Sequence, residues 1–249
     1  MTSDTYYQPD LAWVHHAGYS HHVERTCAGI VQLLRDGGLS AGARVLDVGC
    51  GSGLLARELL TAGFAVHGVD ASPAMIELAR EYECGAHFAV VRMPTGLAAG
   101  VDGALPEADA VVSTGHVLNY LDTRADIAQA LGELARGASS GNAGDRFDDG
   151  AIPRTARHRE VHAKVEDDWA IVTRFSHPEP CRFDRMITVF FRRVGDSWRR
   201  SDEHHRNLTF DVDDAMDVLR DNGIDAHCRG AFGDEKLPEG LVVLTGRRP

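Results

Sequence analysis

Residues 44–53 read RVLDVGCGSG, residues 54–63 read LLARELLTAG, and residues 64–70 read FAVHGVD. The first and third stretches are short, apolar and β-branched, the pattern of strands buried on both faces of a parallel sheet. The middle stretch is rich in helix formers. Strand, helix and strand in this order make a βαβ unit, which closes with a right-handed crossover. Gly49, Gly51 and Gly53 let the chain turn sharply after the first strand, and they let a ligand approach the main chain at a helix N-terminus.

The alternation continues outward. Ser72-Pro73 is a helix start, with serine as cap and proline at the first helical position, and the helix runs to about Tyr82. HFAVV at 87–91 and ADAVVST at 108–114 read as two further strands, and a helix spans Arg124 to Arg136. Upstream, residues 1–26 are polar and aromatic, with His15, His16, His21 and His22 around Tyr19. Val23, Cys27, Ile30, Val31 and Leu34 then predict a helix from His22 to Arg35, stopped by Gly37-Gly38. Beyond Gly150, DWAIVTRFS, RMITVFFRRVG and DSWRRSDEHHRNLTF predict antiparallel strands, the last two joined at Gly195-Asp196. A helix from Asp211 to Asn222 follows, and IDAHCRGAF and GLVVLTGRR close the chain as strands. The expected organisation is a helical cap over 1–40, a nucleotide-binding core over 41–150, an antiparallel insertion over 151–210, and a closing helix and strands over 211–249.

The 249 residues include 43% hydrophobic and 25% charged residues, with 26 Lys plus Arg against 37 Asp plus Glu. A net charge of −11 argues against wide phosphate neutralisation, so nucleic acid is not expected as a partner. The first ten residues lack the basic start and apolar run of a signal peptide, and no apolar stretch is long enough to span a membrane. The expected location is therefore cytoplasmic, with no membrane partner. Five scattered cysteines form no C-x-x-C pair and read as free thiols. The sequence leaves monomer and homodimer both open.

GSGLLA at 51–56 satisfies the dinucleotide pattern G-x-G-x-x-A, so a nicotinamide or flavin cofactor and an oxidoreductase have to be weighed. Asp47 decides against them. A carboxylate at the end of the first strand repels a pyrophosphate in a low-dielectric crevice and attracts a ligand with an ammonium and a sulfonium. Asp70, at the end of the second strand, stands where a carboxylate accepts hydrogen bonds from both ribose hydroxyls. Adenosine with a cationic tail is the implied ligand.

VLDVGCGSG followed by GVDASPAMIELA resembles the class I S-adenosylmethionine-dependent methyltransferases, and the likeness extends over about 10–119 and 165–249. The resemblance implies a doubly wound, mostly parallel, Rossmann-like α/β sheet with an inserted antiparallel β segment. It also implies S-adenosylmethionine as methyl donor and S-adenosylhomocysteine as product. Asp47, Gly49, Cys50, Gly51 and Gly53 would form the methionine and ribose side, Asp70 would hold the ribose, and Ala71 with Met75 would lie along the adenine. Where the family usually has an acidic residue against the adenine amino group, this chain reads Val91-Arg92-Met93. Met93 is then expected to pack on the ring, with Arg92 supplying a backbone contact. A cofactor-binding protein without turnover remains a rival reading.

Methyl transfer is an in-line displacement, so the protein supplies position and, for a protonated oxygen or nitrogen, a base. The loop after the fourth strand runs from Ser113 to Tyr120. Ser113 would face the cofactor, and His116 and Tyr120 are the catalytic candidates. In the family the N-terminal segment often covers the cofactor, which singles out His15 and Tyr19. His204 and His205 are neighbours in a strand, so at most one faces the site. The three adjacent histidine pairs lack metal-ligand spacing, and no metal is expected. The arginines between 182 and 206 read first as exposed strand positions, with an anionic group on the substrate as the sharper alternative. An antiparallel wall at 165–210 favours a small-molecule acceptor.

One stretch departs from the family. GASSGNAGDRFDDG, from Gly137, replaces a tight turn and an apolar fifth strand, and between 137 and 146 only Ala138 and Ala143 are apolar. Either a short, weak fifth strand still completes the sheet, or the stretch is locally altered, as a compensated frameshift would leave it. The backbone is expected to keep the strand position, because the last strands need a partner beside the fourth.

Overall fold

A computed structural model describes residues 6–83, 85–98, 101–137, 145–147, 161–192, 197–232, 235–237 and 241–248. Its centre is a seven-stranded sheet. β1 (Arg44–Val48) pairs in parallel with β2 (Ala65–Asp70) on one side and with β4 (Ala110–Ser113) on the other, and β2 pairs with β3 (His87–Val90). β5 (Asp145–Phe147) runs parallel to β4. The edge is completed by β13 (Val243–Arg247), antiparallel to β5, and β10 (Asp225–Arg229), antiparallel to β13. The spatial order is β10-β13-β5-β4-β1-β2-β3. The chain builds outward from β1 in one direction and then restarts beside it with β4, so a crevice opens at the carboxyl ends of β1, β2 and β4.

Helices cover both faces. α3 (Leu54–Thr61) and α4 (Pro73–Tyr82) pack on one side with α2 (Ser20–Asp36), where Ile30, Leu34, Val45, Leu55, Leu59 and Ile76 form a buried cluster. On the other side, α5 (Arg124–Gly137) and α6 (Val212–Asp221) bury Leu131, Leu134 and Leu219 against Leu46 and Val48. Alternation along β1 puts Asp47 on the Val45 face, so a charged side chain is buried between the apolar residues of the strand.

A second, four-stranded antiparallel sheet orders β6 (Val161–Val165), β7 (Trp169–Ser176), β8 (Arg182–Arg192) and β9 (Trp198–Leu208). Against it lies α1 (Pro9–Gly18), whose Leu11 and Val14 join Trp169, Ile171, Ile187 and Val189 in a cluster separate from the central core. Gly18 is needed there, because a Cβ would stand 2.6 Å from the Trp169 ring. β11 (Ala231–Phe232) and β12 (Glu235–Lys236) form a small ribbon.

The structure corrects the expected elements in three places and bears out a fourth, the short fifth strand in its expected position. Residues before His22 carry a helix, α1, started by Pro9 after an extended Gln8, and the next helix begins at Ser20. β6 was not anticipated: VHAKV alternates apolar and polar residues, but the run is only five residues long and mostly exposed. IDAHCRGAF divides at Gly230 into β10 and β11. The fifth strand exists between β4 and β13 but spans only 145–147; residues 138–144 and the turn at Gly195-Asp196 lie outside the described residues.

Candidate active site

The glycine loop leaves β1 in a conformation that requires glycine: Gly49, Gly51 and Gly53 have φ of 73°, 53° and 80°. The N–H groups of Gly49 and Cys50 both donate to the Val69 carbonyl, at 2.7 and 3.0 Å, which ties the loop to β2. The space beside Gly49 is also committed, because a Cβ there would stand 2.1 Å from Val117 Cγ2. The Cys50 side chain turns away into the core beneath the loop, so only its backbone borders the crevice. Met75 is buried and its sulfur lies near Gly51; Met93 is buried, and Ala71 and Arg92 are at the rim. Ser113 is buried at the end of β4, level with Val48.

Two carboxylates close this half of the site. Asp70 accepts the Gly51 N–H at 3.0 Å and the Ser72 N–H at 2.8 Å. Burial raises its pKa, and the backbone N–H groups pull the other way. Asp47 is 1% exposed, and neither carboxylate oxygen has a hydrogen-bond partner. Burial, with repulsion from Asp70 added, pushes its carboxyl up to about 7. A buried carboxylate without a partner is strongly disfavoured, and a cation beside it removes the disadvantage. This set fits an adenosyl group with a cationic tail and does not fit a pyrophosphate.

The N-terminal segment lies across the crevice. The Ser72 hydroxyl donates to the Tyr7 carbonyl at 2.8 Å, and His16 Nδ1 lies 2.8 Å from Ser52 Oγ, which fastens the segment to α4 and to the glycine loop. His16 also stacks on Tyr82, with ring centres 4.4 Å apart. Of the two singled-out residues, His15 stacks on Tyr19 at 5.4 Å and meets the edge of Tyr7 at 5.3 Å. Burial raises the pKa of both Tyr7 and Tyr19.

A polar chain that sequence reasoning did not assemble faces this aromatic group. His205 is fully buried, its Nε2 2.8 Å from Glu203 Oε2 and its Nδ1 3.0 Å from the Tyr120 hydroxyl. The Tyr120 and Tyr7 hydroxyls are 3.2 Å apart. Glu203 also accepts the Tyr7 N–H at 2.7 Å and the Gln8 N–H at 2.8 Å. Burial lowers the pKa of His205 against the opposing pull of Glu203. His204 points outward and pairs with Asp184 at 2.7 Å. His116, with φ of 69°, caps the 3-10 turn Val117–Tyr120 that presents Tyr120, and its carbonyl accepts the Asn119 N–H.

Tyr120 is thus the candidate that joins a network, and His116 is the residue that shapes its turn. Glu203, His205, Asn207 and Arg185 were missed as a group. The available signal was spacing alone: 203, 205 and 207 share one face of a strand, and Arg185 stands opposite His205 in the register. Tyr7 carried no signal, since its place depends on tertiary contacts. Among the described residues, no group of three or more His, Cys, Asp or Glu is placed to hold a metal ion, and no helix is long and apolar enough to cross a membrane.

Comparison with known proteins agrees with this arrangement. A family model described as a methyltransferase domain matches residues 45–141, the span from β1 through α5. A Bacillus subtilis protein named "Putative methyltransferase YqeM" is 25% identical over 199 residues, covering 74% of each chain. The sugar N-methyltransferase KedS8 from a Streptoalloteichus species superposes with a TM-score of 0.78 at 17% identity, over 100% of this chain and 98% of that one. CalS10, an amino pentose methyltransferase from Micromonospora echinaspora whose structure holds S-adenosylmethionine, gives 0.72 at 21% identity over the full length of both. Residues 45–141 thus carry a methyltransferase domain, set in the fold of S-adenosylmethionine-dependent methyltransferases.

Proposed function

We propose that the protein moves the methyl group of S-adenosylmethionine to an oxygen or nitrogen atom of a small-molecule acceptor bound beside the N-terminal segment, the turn after β4 and the inner face of β8 and β9. The carrying observation is the partly buried chain Glu203, His205 and Tyr120, which ends against Tyr7 at the Asp70 side of the donor site. The acceptor region is enclosed by the N-terminal segment, the turn after β4 and the inner face of β8 and β9, which suits a small molecule rather than a polymer. The names of KedS8 and CalS10, sugar and amino pentose methyltransferases, support the same acceptor size.

S-adenosylmethionine, when bound, supplies an electrophilic methyl on a positively charged sulfur. Asp47 faces the cationic tail, the backbone of Gly49–Gly53 lies along it, Asp70 takes the ribose hydroxyls, and Ala71, Met75 and Met93 flank the adenine. His15 and Tyr19 close the aromatic side of the acceptor space.

Glu203, as a carboxylate, accepts two backbone N–H groups and faces Nε2 of His205, so the proton of a neutral His205 rests on that nitrogen. His205 Nδ1 is then an acceptor for the Tyr120 O–H. Tyr120 can take a proton from the acceptor atom while passing its own to Nδ1, which is general-base catalysis through a hydroxyl.

The test is a screen of small acceptors with S-adenosylmethionine, read as a gain of one methyl by mass, followed by variants on the best acceptor. Tyr120→Phe is expected to lower kcat about 100-fold while S-adenosylhomocysteine affinity stays within about twofold. A full-rate Tyr120→Phe beside a dead His116→Ala would transfer the role to His116. Methylation of a protein or RNA with no small acceptor turned over would overturn the acceptor class.

A further inference from the structure

The inner face of β8 and β9 holds polar atoms that meet no partner within the protein. In the register Arg185 stands opposite His205 and Phe183 opposite Asn207, so Arg185 and Asn207 are diagonal neighbours on the face shared by Glu203 and His205. Asn207 is 1% exposed, and neither its Nδ2 nor its Oδ1 has a hydrogen-bond partner. Arg185 Nε is also buried without a partner. Its guanidinium lies 5.2 Å from the centre of the Tyr120 ring and hydrogen-bonds the Tyr7 side chain, which leaves Nε as the free donor; no carboxylate pairs with it among the described residues. Glu203 is engaged by the Tyr7 and Gln8 N–H groups and by His205.

Leaving such donors unsatisfied in a buried wall costs free energy unless a ligand meets them. The shared demand of Arg185 Nε and Asn207 Nδ2 is for acceptor oxygens, and an arginine fork matches the two oxygens of a planar carboxylate. A phosphate dianion suits the place less well. Glu203 stands on the same strand face as Arg185, and a second negative charge on the ligand would add to its repulsion. Phe183 and Ile187, both buried, frame the polar pair with apolar surface.

We propose that the methyl acceptor carries a carboxylate, held by Arg185 and Asn207 on the inner face of β8 and β9. This rests on the methyl-transfer reading and names the acceptor class within it.

Two probe pairs isolate the head group: acetate against acetamide, and benzoate against benzamide, with phenyl phosphate as a third arm on the larger ring. Each is titrated by NMR shift perturbation into the whole protein, with and without saturating S-adenosylhomocysteine. In at least one pair the carboxylate is expected to bind about tenfold more tightly than the amide, as a charge-assisted contact predicts. Arg185→Gln should erase that preference and Arg185→Lys should keep part of it. Arg200→Gln, at an exposed position on the outer face of β9, should leave it whole, with melting profiles confirming that each variant folds. No carboxylate preference in either pair, or a preference that survives Arg185→Gln, would overturn the proposal, as would phenyl phosphate binding more tightly than benzoate. If S-adenosylhomocysteine fails to bind while the carboxylate preference persists in the unloaded protein, the methyl-transfer reading fails and the anion site stands.

Discussion

Asp47 lies at the end of β1 with both oxygens buried and unbonded, so the unliganded protein carries its charge at a disadvantage. Its folded pKa of about 7 is above the ordinary 3.8. The folded state therefore binds the proton more tightly than the unfolded one, and the destabilisation is fully present above pH 7 and relieved as pH falls towards 4. From the distance between the two values it amounts to about 4 kcal/mol at the upper end. Asp47→Asn is expected to raise the urea midpoint of the unliganded protein at pH 8, with the advantage shrinking by pH 5. A variant less stable than wild type at pH 8 would show that the carboxylate already has a partner. The same charge serves the donor: wild-type affinity for S-adenosylmethionine should weaken as pH drops below 7, and the asparagine variant should bind weakly with a flat profile.

At the scale of elements, the glycine loop and the turn Val117–Tyr120 are one packed unit, because Gly49 leaves no room for a side chain beside Val117. Gly49→Ala forces a β-carbon into a left-handed conformation as well as into that contact. It is expected to weaken S-adenosylhomocysteine binding and lower the melting temperature. Adding Val117→Ala should restore only a fraction of the loss, since the backbone strain remains; full restoration would show that crowding alone was at fault. The loop was legible in the sequence because buried parallel strands are apolar runs and left-handed turns select glycine, two local demands. The Glu203, His205 and Tyr120 chain was legible only as a spacing, because its members meet across elements brought together by tertiary packing. β5 sits between these cases. Its position followed from the need of β13 for a partner beside β4, while its three-residue length did not. With so few apolar residues in the sequence leading into that strand, amides of 145–147 should exchange much faster than those of 110–113. Equal protection would show that the ladder alone holds the strand.

Across the whole molecule, the N-terminal segment joins the two sheets over the site. It is bonded to the donor half through Ser72 and Ser52, and to the antiparallel sheet through Glu203, which accepts the Tyr7 and Gln8 N–H groups. A second link to that sheet is the Asp10–Arg199 ion pair. Cofactor exchange has to loosen this segment on one side or the other, and the polar links at its start on the sheet side, through Glu203 and through Arg199, differ in strength. The Glu203 contacts are partly buried bonds to a carboxylate, whereas Arg199 is substantially exposed, and exposed ion pairs contribute little. Glu203→Gln keeps the shape, removes the charge and leaves one acceptor oxygen. It is expected to speed S-adenosylhomocysteine release about tenfold in stopped-flow displacement. Arg199→Ala should change release by about twofold or less. If Arg199→Ala has the larger effect, the outer ion pair is the latch. If neither variant changes the rate, the segment does not gate the cofactor, and Glu203 acts only through His205.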